Sequence, residues 1–232
     1  MNQDVTNRGG MNLALFDLDN TLLSGDSDFE WSQFLIEQGV LERELFEIKN
    51  LTFYEQYKAG TLDIHEFLEY QLRPLSRHSR HVLDGWLKEF VQQKMLALIG
   101  TPAKTLVAQH QAAGDICVII TATNSFVTRP IARQFGVEHL IATEPEHKDG
   151  EFTGQLADIP CFREGKITRL ENWMAQRGWN WGSFNNSWFY SDSLNDLPLL
   201  GKVKVPIAVD PDPTLRAHAT QHGWQIISLR GV

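Results

Sequence analysis

The sequence predicts an α/β fold, a parallel sheet with a helical bundle inserted behind its first strand, on three observations. A short apolar run at residues 13–16 ends abruptly at two carboxylates, Asp17 and Asp19. From Asp28 to about Leu98, apolar residues recur every three or four positions with almost no strand-like alternation, which is the period of packed helices. From Thr101 onward, amphipathic stretches alternate with short β-branched runs, the rhythm of a parallel, Rossmann-like sheet covered by helices.

The run Leu13-Ala14-Leu15-Phe16 suits a strand buried on both faces, and ligands of open α/β sheets bind beyond the carboxyl ends of the strands. Asp17 stands at such an end. Burying a carboxylate among apolar residues costs several kcal/mol unless a cation or donor compensates. The pair Asp17 and Asp19 therefore marks a cation site, and Mg²⁺ is the expected ion. In the helical stretch, Phe29, Trp31, Phe34, Leu35 and Ile36 open one helix, which Gly39 punctuates. Residues 45–57 form a second up to Gly60, and residues 62–72 and 82–95 supply two more. Beyond them, a helix at 103–113 stopped by Gly114 precedes a strand at 116–120. A helix at 126–135, a strand at 140–142, a helix at 167–177 and strands at 188–190, 205–209 and 226–228 complete the set. Lys148-Asp149-Gly150, inside 144–154, signals a hairpin. The expected organisation is an α/β core of residues 11–24 and 99–232, a helical unit of 25–98, and a flexible tail of 1–10.

Composition narrows the function. Across 232 residues, 42% hydrophobic and 22% charged content is ordinary for a globular chain, and the length suits one large domain or a domain with an insertion. The formal charge of −8 argues against nucleic acid or an anionic membrane as partner, because both select basic surfaces. Small anions held by placed cations stay open. Two cysteines, Cys117 and Cys161, are too few for a disulfide framework, and both are expected reduced. The first ten residues lack an apolar signal segment, and no apolar run approaches a membrane span. A soluble, cytoplasmic protein is expected.

Four pieces can meet at the carboxyl edge of the sheet: Asp17 and Asp19; Thr121, the first polar residue after the run at 117–120; Lys166 in Glu-Gly-Lys; and Ser-Asp-Ser-Leu-Asn-Asp at 191–196, with Asp192 and Asp196. Together they supply a nucleophile, an acid or base, a hydroxyl, a cation and carboxylates for a metal, which is what phosphoryl transfer requires. Carboxylate nucleophiles form aspartyl-phosphates, and Mg²⁺ is normally held by one or two carboxylates with substrate oxygens and water. Cations and donors around the phosphate remove the charge repulsion that would otherwise block attack.

In this order and spacing the motifs resemble those of haloacid dehalogenase-like (HAD) hydrolases, of the phosphoserine-phosphatase-like branch, over about residues 12–210. The resemblance implies the HAD fold with a helical cap of the first type (C1) inserted between the first two motifs. It implies Asp17 as nucleophile, Asp19 as general acid/base, Thr121 and Lys166 as phosphate-site residues, and Asn195 as an aid to the phosphate. It implies a metal held by Asp17, the backbone carbonyl of Asp19 and Asp192, with Asp196 beside them. Where phosphoserine phosphatases place a Glu nine residues after the nucleophile to hold the substrate amine, this chain has Asp26. Where they read Ser-Gly-Gly, it has Thr121-Ala122-Thr123. A bacterial subgroup of the branch includes histidinol-phosphate phosphatases, so a small phosphorylated metabolite of the amino-alcohol type is the expected substrate.

Plainer roles compete for several of these residues. Thr123 and Asn124 suit the cap of the helix near Phe126 as well as a substrate contact, and Asp196 suits a water-mediated or bracing role. Arg73, Arg77, His78, Arg80 and His81 suit a solvated connection. Trp31, Phe53, Tyr54 and Tyr57 suit bundle core, and the eight histidines show no metal-ligand spacing. A phosphomutase would share the nucleophile and acid, and a non-catalytic phospholigand-binding regulator would share the pocket. A dehalogenase is disfavoured, because C–Cl displacement needs neither the metal nor the second aspartate.

Overall fold

A computed structural model describes residues 10–230, so the expected tail lies, Gly10 apart, outside the described residues. Strand β1 (Met11–Phe16) pairs in parallel with β2 (Ile116–Asn124) on one side and β6 (Phe184–Ser191) on the other. Strand β3 (His139–Thr143) extends the sheet beyond β2, and β7 (Val205–Val209) and β8 (Gln225–Ile227) extend it beyond β6. The order is β3-β2-β1-β6-β7-β8. The chain winds outward from β1 to β3, then returns to the other flank of β1, so β1 stands where the winding reverses. Ligand sites of open α/β sheets lie at such switch points. Its residues explain the central place: Leu13 and Leu15 enter one apolar cluster, Ala14 and Phe16 the other, and all four are fully buried.

Between β1 and β2 the chain forms α1 (Ser27–Glu37), α2 (Arg43–Ala59), α3 (Ile64–Leu72) and α4 (Arg80–Phe90), which runs through a wide-turn stretch into the short α5 (Leu96–Leu98). Asp26 caps α1 and Asp63 caps α3, each accepting two backbone amides, while Gly60 ends α2 at φ 70°. The outgoing and returning strands of this insertion run side by side: Leu23 bridges Ile99, and the Ser24 amide donates to the Leu98 carbonyl at 3.0 Å. Trp31 packs edge-on to Phe90 at 5.2 Å and to Phe126 at 5.9 Å, aromatic contacts of about 0.5–1.5 kcal/mol each. The first ties α1 to α4 within the insertion, and the second fastens α1 to α7 beside the sheet.

Helices α6 (Thr101–Ala112), α7 (Ser125–Gln134), α8 (Glu164–Ala175), α9 (Leu197–Leu200) and α10 (Pro213–His222) cover the sheet, and the signalled hairpin is β4 (Pro145–Lys148) with β5 (Glu151–Leu156). Three local expectations change. Strand β2 continues to Asn124, so Thr121 lies within the strand and not beyond it. Tyr54 is 57% exposed and lies outside the apolar clusters that hold Trp31 and Phe53. The basic segment forms a 3-10 turn and the start of α4, where Arg80 pairs with Asp84 at 2.8 Å and lies over Phe126 and Phe152. Cys117 and Cys161 are free and buried. Among the described residues, no helix is long and apolar enough to cross a membrane.

Candidate active site

The register of β1 against β6 places Phe16 opposite Tyr190, and the Asp17 amide donates to the Tyr190 carbonyl at 2.9 Å. Asp17 therefore leaves the sheet at its carboxyl edge with a fixed backbone. The next residues form a tight wide turn in which Asp19 stays extended and Asn20 takes φ 55°. This reverses the chain at once and sends the two carboxylates in different directions. Arg230 holds the turn from outside, donating to the carbonyls of Asn20 and Thr21.

Each carboxylate has its own partners. Asp17 Oδ1 accepts from Lys166 Nζ at 2.8 Å. Asp19 Oδ1 accepts the Ser27 amide at 2.6 Å, and its Oδ2 accepts the hydroxyls of Thr123 at 2.8 Å and Thr121 at 3.2 Å. Lys166, 2% exposed, also reaches the Asp196 carboxylate at 2.7 Å, which takes the Ser191 hydroxyl at 2.7 Å as well. Helix α8 can start so close against the loop that precedes it because Gly165 lacks a Cβ, which would fall 2.1 Å from the Pro160 carbonyl oxygen. Asp192 accepts the Thr21 hydroxyl at 3.0 Å and returns its own amide to the same oxygen at 3.0 Å. Asn195 donates to the Tyr57 carbonyl at 3.2 Å and accepts from Arg163 Nε at 3.0 Å.

The roles of Thr123 and Asn124 separate. Asn124 caps α7, accepting the Val127 amide at 3.1 Å, whereas Thr123 bonds Asp19. Asp26 uses one oxygen, Oδ1, to cap α1 through the Asp28 and Phe29 amides. Residues absent from the expected set also line the site. Thr21 could have been found as the threonine two residues after Asp19. Ser191 sits in the quoted acidic motif. Tyr57 and Arg163 carried no local signal, because their contacts join segments more than 100 and more than 30 residues apart.

Burial dominates the electrostatics. It pushes Asp17 up to about 7 against the pull of Lys166, and Asp19 up to about 6 against the Ser27 and Thr123 bonds, with Asp26 adding repulsion to Asp19. Burial and the nearby Asp17 hold Asp192 well above the usual carboxylate range. Lys166 stays charged, because Asp17 and Asp196 outweigh the burial that opposes its charge. Buried Asp17 and Asp196 share one buried ammonium, with half-buried Asp19 and Asp192 close by, a surplus of negative charge that suits a divalent cation. Among the described residues, no group of three His, Cys, Asp or Glu side chains could hold an ion by itself, since Asp19 is turned onto Ser27 and the threonines and Asp196 onto Lys166 and Ser191. A cation here would rest on the side chains of Asp17 and Asp192 with main-chain, water or ligand oxygens, the mixed set usual for hard divalent ions.

Residues 14–201 match the family of haloacid dehalogenase-like hydrolases. The chain belongs to that family. A histidinol-phosphatase of Neisseria meningitidis is 42% identical over 220 residues, spanning 94% of this chain and 99% of the relative. A Bordetella pertussis protein of unknown function superposes with a TM-score of 0.90 at 46% identity, covering 95% of this chain and 100% of that one. A phosphoserine phosphatase solved as a phospho-aspartyl intermediate analogue superposes with a TM-score of 0.66 at 18% identity, covering 95% and 94%. That last likeness is one of fold. Membership in the HAD family, with a phosphatase as a full-length relative, makes the chain a HAD phosphatase.

Proposed function

We propose that this HAD hydrolase cleaves a small amino-alcohol phosphate, histidinol phosphate foremost, with Mg²⁺ and through an aspartyl-phosphate on Asp17. The observation that carries the reading is the division of labour between Asp17, held on Lys166, and Asp19, held on Ser27 and two threonines. A bound Mg²⁺ on Asp17 and Asp192 would offset the charge between the nucleophile and the phosphate. Asp17 attacks phosphorus in line, and the ester oxygen leaves as Asp19 gives it a proton. Asp19 then takes a proton from the water that cleaves the acyl phosphate, which returns both carboxylates to their starting state. Lys166 neutralises the phosphoryl oxygens and keeps Asp17 aimed, and Asp196 and Ser191 hold Lys166. Asp19, at about 6, is poised to lose and regain a proton near neutrality.

In this reading residues 25–98 act as a cap over a core of 11–24 and 99–232, and closure excludes water before the acyl phosphate forms. Asp26 caps α1 through Oδ1 alone, which leaves Oδ2 for the substrate amine. The 42% identical histidinol-phosphatase supports that substrate class. The test is phosphate release from L-histidinol phosphate, O-phosphoserine and 4-nitrophenyl phosphate, with Mg²⁺ and with EDTA. Asp17→Asn must abolish release, and activity that persists in Asp17→Asn or in EDTA overturns the nucleophile or the metal. Transfer to a second alcohol without net phosphate would instead identify a phosphomutase.

A further inference from the structure

Arg163, three residues before Lys166, holds φ 50° and ψ −121°, a region that residues with a Cβ avoid and that persists only where the surroundings impose it. What the conformation achieves is visible in its contacts. The half-buried guanidinium donates through Nε to Asn195 Oδ1 at 3.0 Å and through Nη2 to the carbonyl of Gly60, the residue that ends α2. It lies over the Phe162 ring at 5.0 Å, and Phe162 in turn packs on Phe53, Leu62 and Tyr57. Two more bonds run in parallel: Tyr57 donates its hydroxyl to Ser193 at 2.8 Å, and Asn195 donates to the Tyr57 carbonyl at 3.2 Å. The fit is close enough that a Cβ on Gly60 would lie 3.3 Å from Arg163 Nη2. The last turn of α2 is thereby tied to the acidic loop by one planar fork that reaches both, which a lysine could not do.

The effect is that the nucleophile candidate and its lysine are shielded. Asp17 is 7% exposed and Lys166 2%. Two clefts beside the inserted helices, of about 460 and 440 Å³, are lined by neither of them, nor by Asp19 or Asp192.

We infer that Arg163 is a positioning and specificity residue: its fork between Asn195 and the α2 terminus latches the helical insertion over the carboxylates and restricts the site to small phosphate esters. The kinetic part rests on the proposed phosphatase reading; the latch itself does not. Opening the latch widens the mouth at Tyr57 and Gly60 without touching Asp17, Asp19 or Lys166, so bulky esters gain relative to small ones.

Arg163→Gly is the informative variant, because glycine adopts this backbone conformation freely and removes the fork with its stacking on Phe162. Amide exchange at residues 57–61 should accelerate by about tenfold or more, the scale of one charge-assisted hydrogen bond. The preference in kcat/KM for L-histidinol phosphate over the bulkier fused-ring ester 4-methylumbelliferyl phosphate should fall by about tenfold, carried by KM. Arg163→Lys, which keeps the charge but not the fork, should fall between the two in both readouts, and it carries the same test should the glycine variant lose stability. Unchanged exchange at 57–61 overturns the latch, and unchanged ester preference overturns the specificity role. If neither ester is hydrolysed by the unaltered chain, the phosphatase reading fails while the exchange result still decides the latch.

Discussion

Replacing Lys166 by methionine keeps most of the aliphatic stem and removes one positive charge from between two buried carboxylates. Its ammonium lies 2.8 Å from Asp17 and 2.7 Å from Asp196, and all three side chains are under 10% exposed. Breaking a buried pair by deleting one partner costs about 3–5 kcal/mol, because the remaining charge is left uncompensated. For a chain of this size 1 kcal/mol moves Tm by about 2–4 °C, so a fall of roughly 6–20 °C is expected. The pH dependence gives the sharper check. Burial already places Asp17 at about 7, above its value in an unfolded chain, so the folded state takes up a proton more readily and loses stability as pH rises. Without Lys166 that shift grows. The deficit of Lys166→Met against the unaltered protein, measured by urea denaturation of metal-free samples, should be largest near about pH 8 and shrink toward about pH 5 as Asp17 protonates. A deficit below about 1 kcal/mol at the higher pH, or one that grows on acidification, would refute the reasoning.

Other consequences are open to measurement. With metal removed, Asp17 at about 7 and Asp19 at about 6 should make the protein more stable as pH falls from about 7 toward about 4, and added Mg²⁺ should raise Tm most at the alkaline end; calorimetry shows whether the slope has this sign. Thr123→Val deletes a 2.8 Å bond to Asp19 at nearly constant volume, and steady-state kinetics should show kcat down by about fivefold, equivalent to about 1 kcal/mol. Asn124→Ala removes the α7 cap and should cost about 1 kcal/mol in denaturation while leaving KM unchanged. A raised KM there would restore Asn124 to the substrate site.

What could be read from the chain alone followed from local physics. A β-branched or leucine-rich run that stops at a carboxylate can be recognised without neighbours, and so can the helical period of 28–98 and the Asp149-Gly150 turn. Hence the parallel sheet, the hairpin and the grouping of Asp17, Asp19, Lys166, Asp192 and Asp196 at one edge were legible in advance. Partner assignments were not, because they depend on which side chains the fold brings within 3 Å. Asp19 could have faced a cation; the reversal after β1 turns it instead onto Ser27, Thr121 and Thr123. Asp196 meets Lys166, a partner 30 residues away along the chain. Tyr54 and Tyr57 share a helix and a residue type, yet one faces solvent and the other bonds Ser193. The strained Arg163 carries no signature in its neighbours along the chain. Sequence by itself determined the kinds of group and the sheet edge that gathers them, since hydrophobic period and strand ends are local properties. Only the tertiary structure decided which oxygen each donor meets, because hydrogen bonds and charge compensation are set by distances between segments that are far apart in sequence.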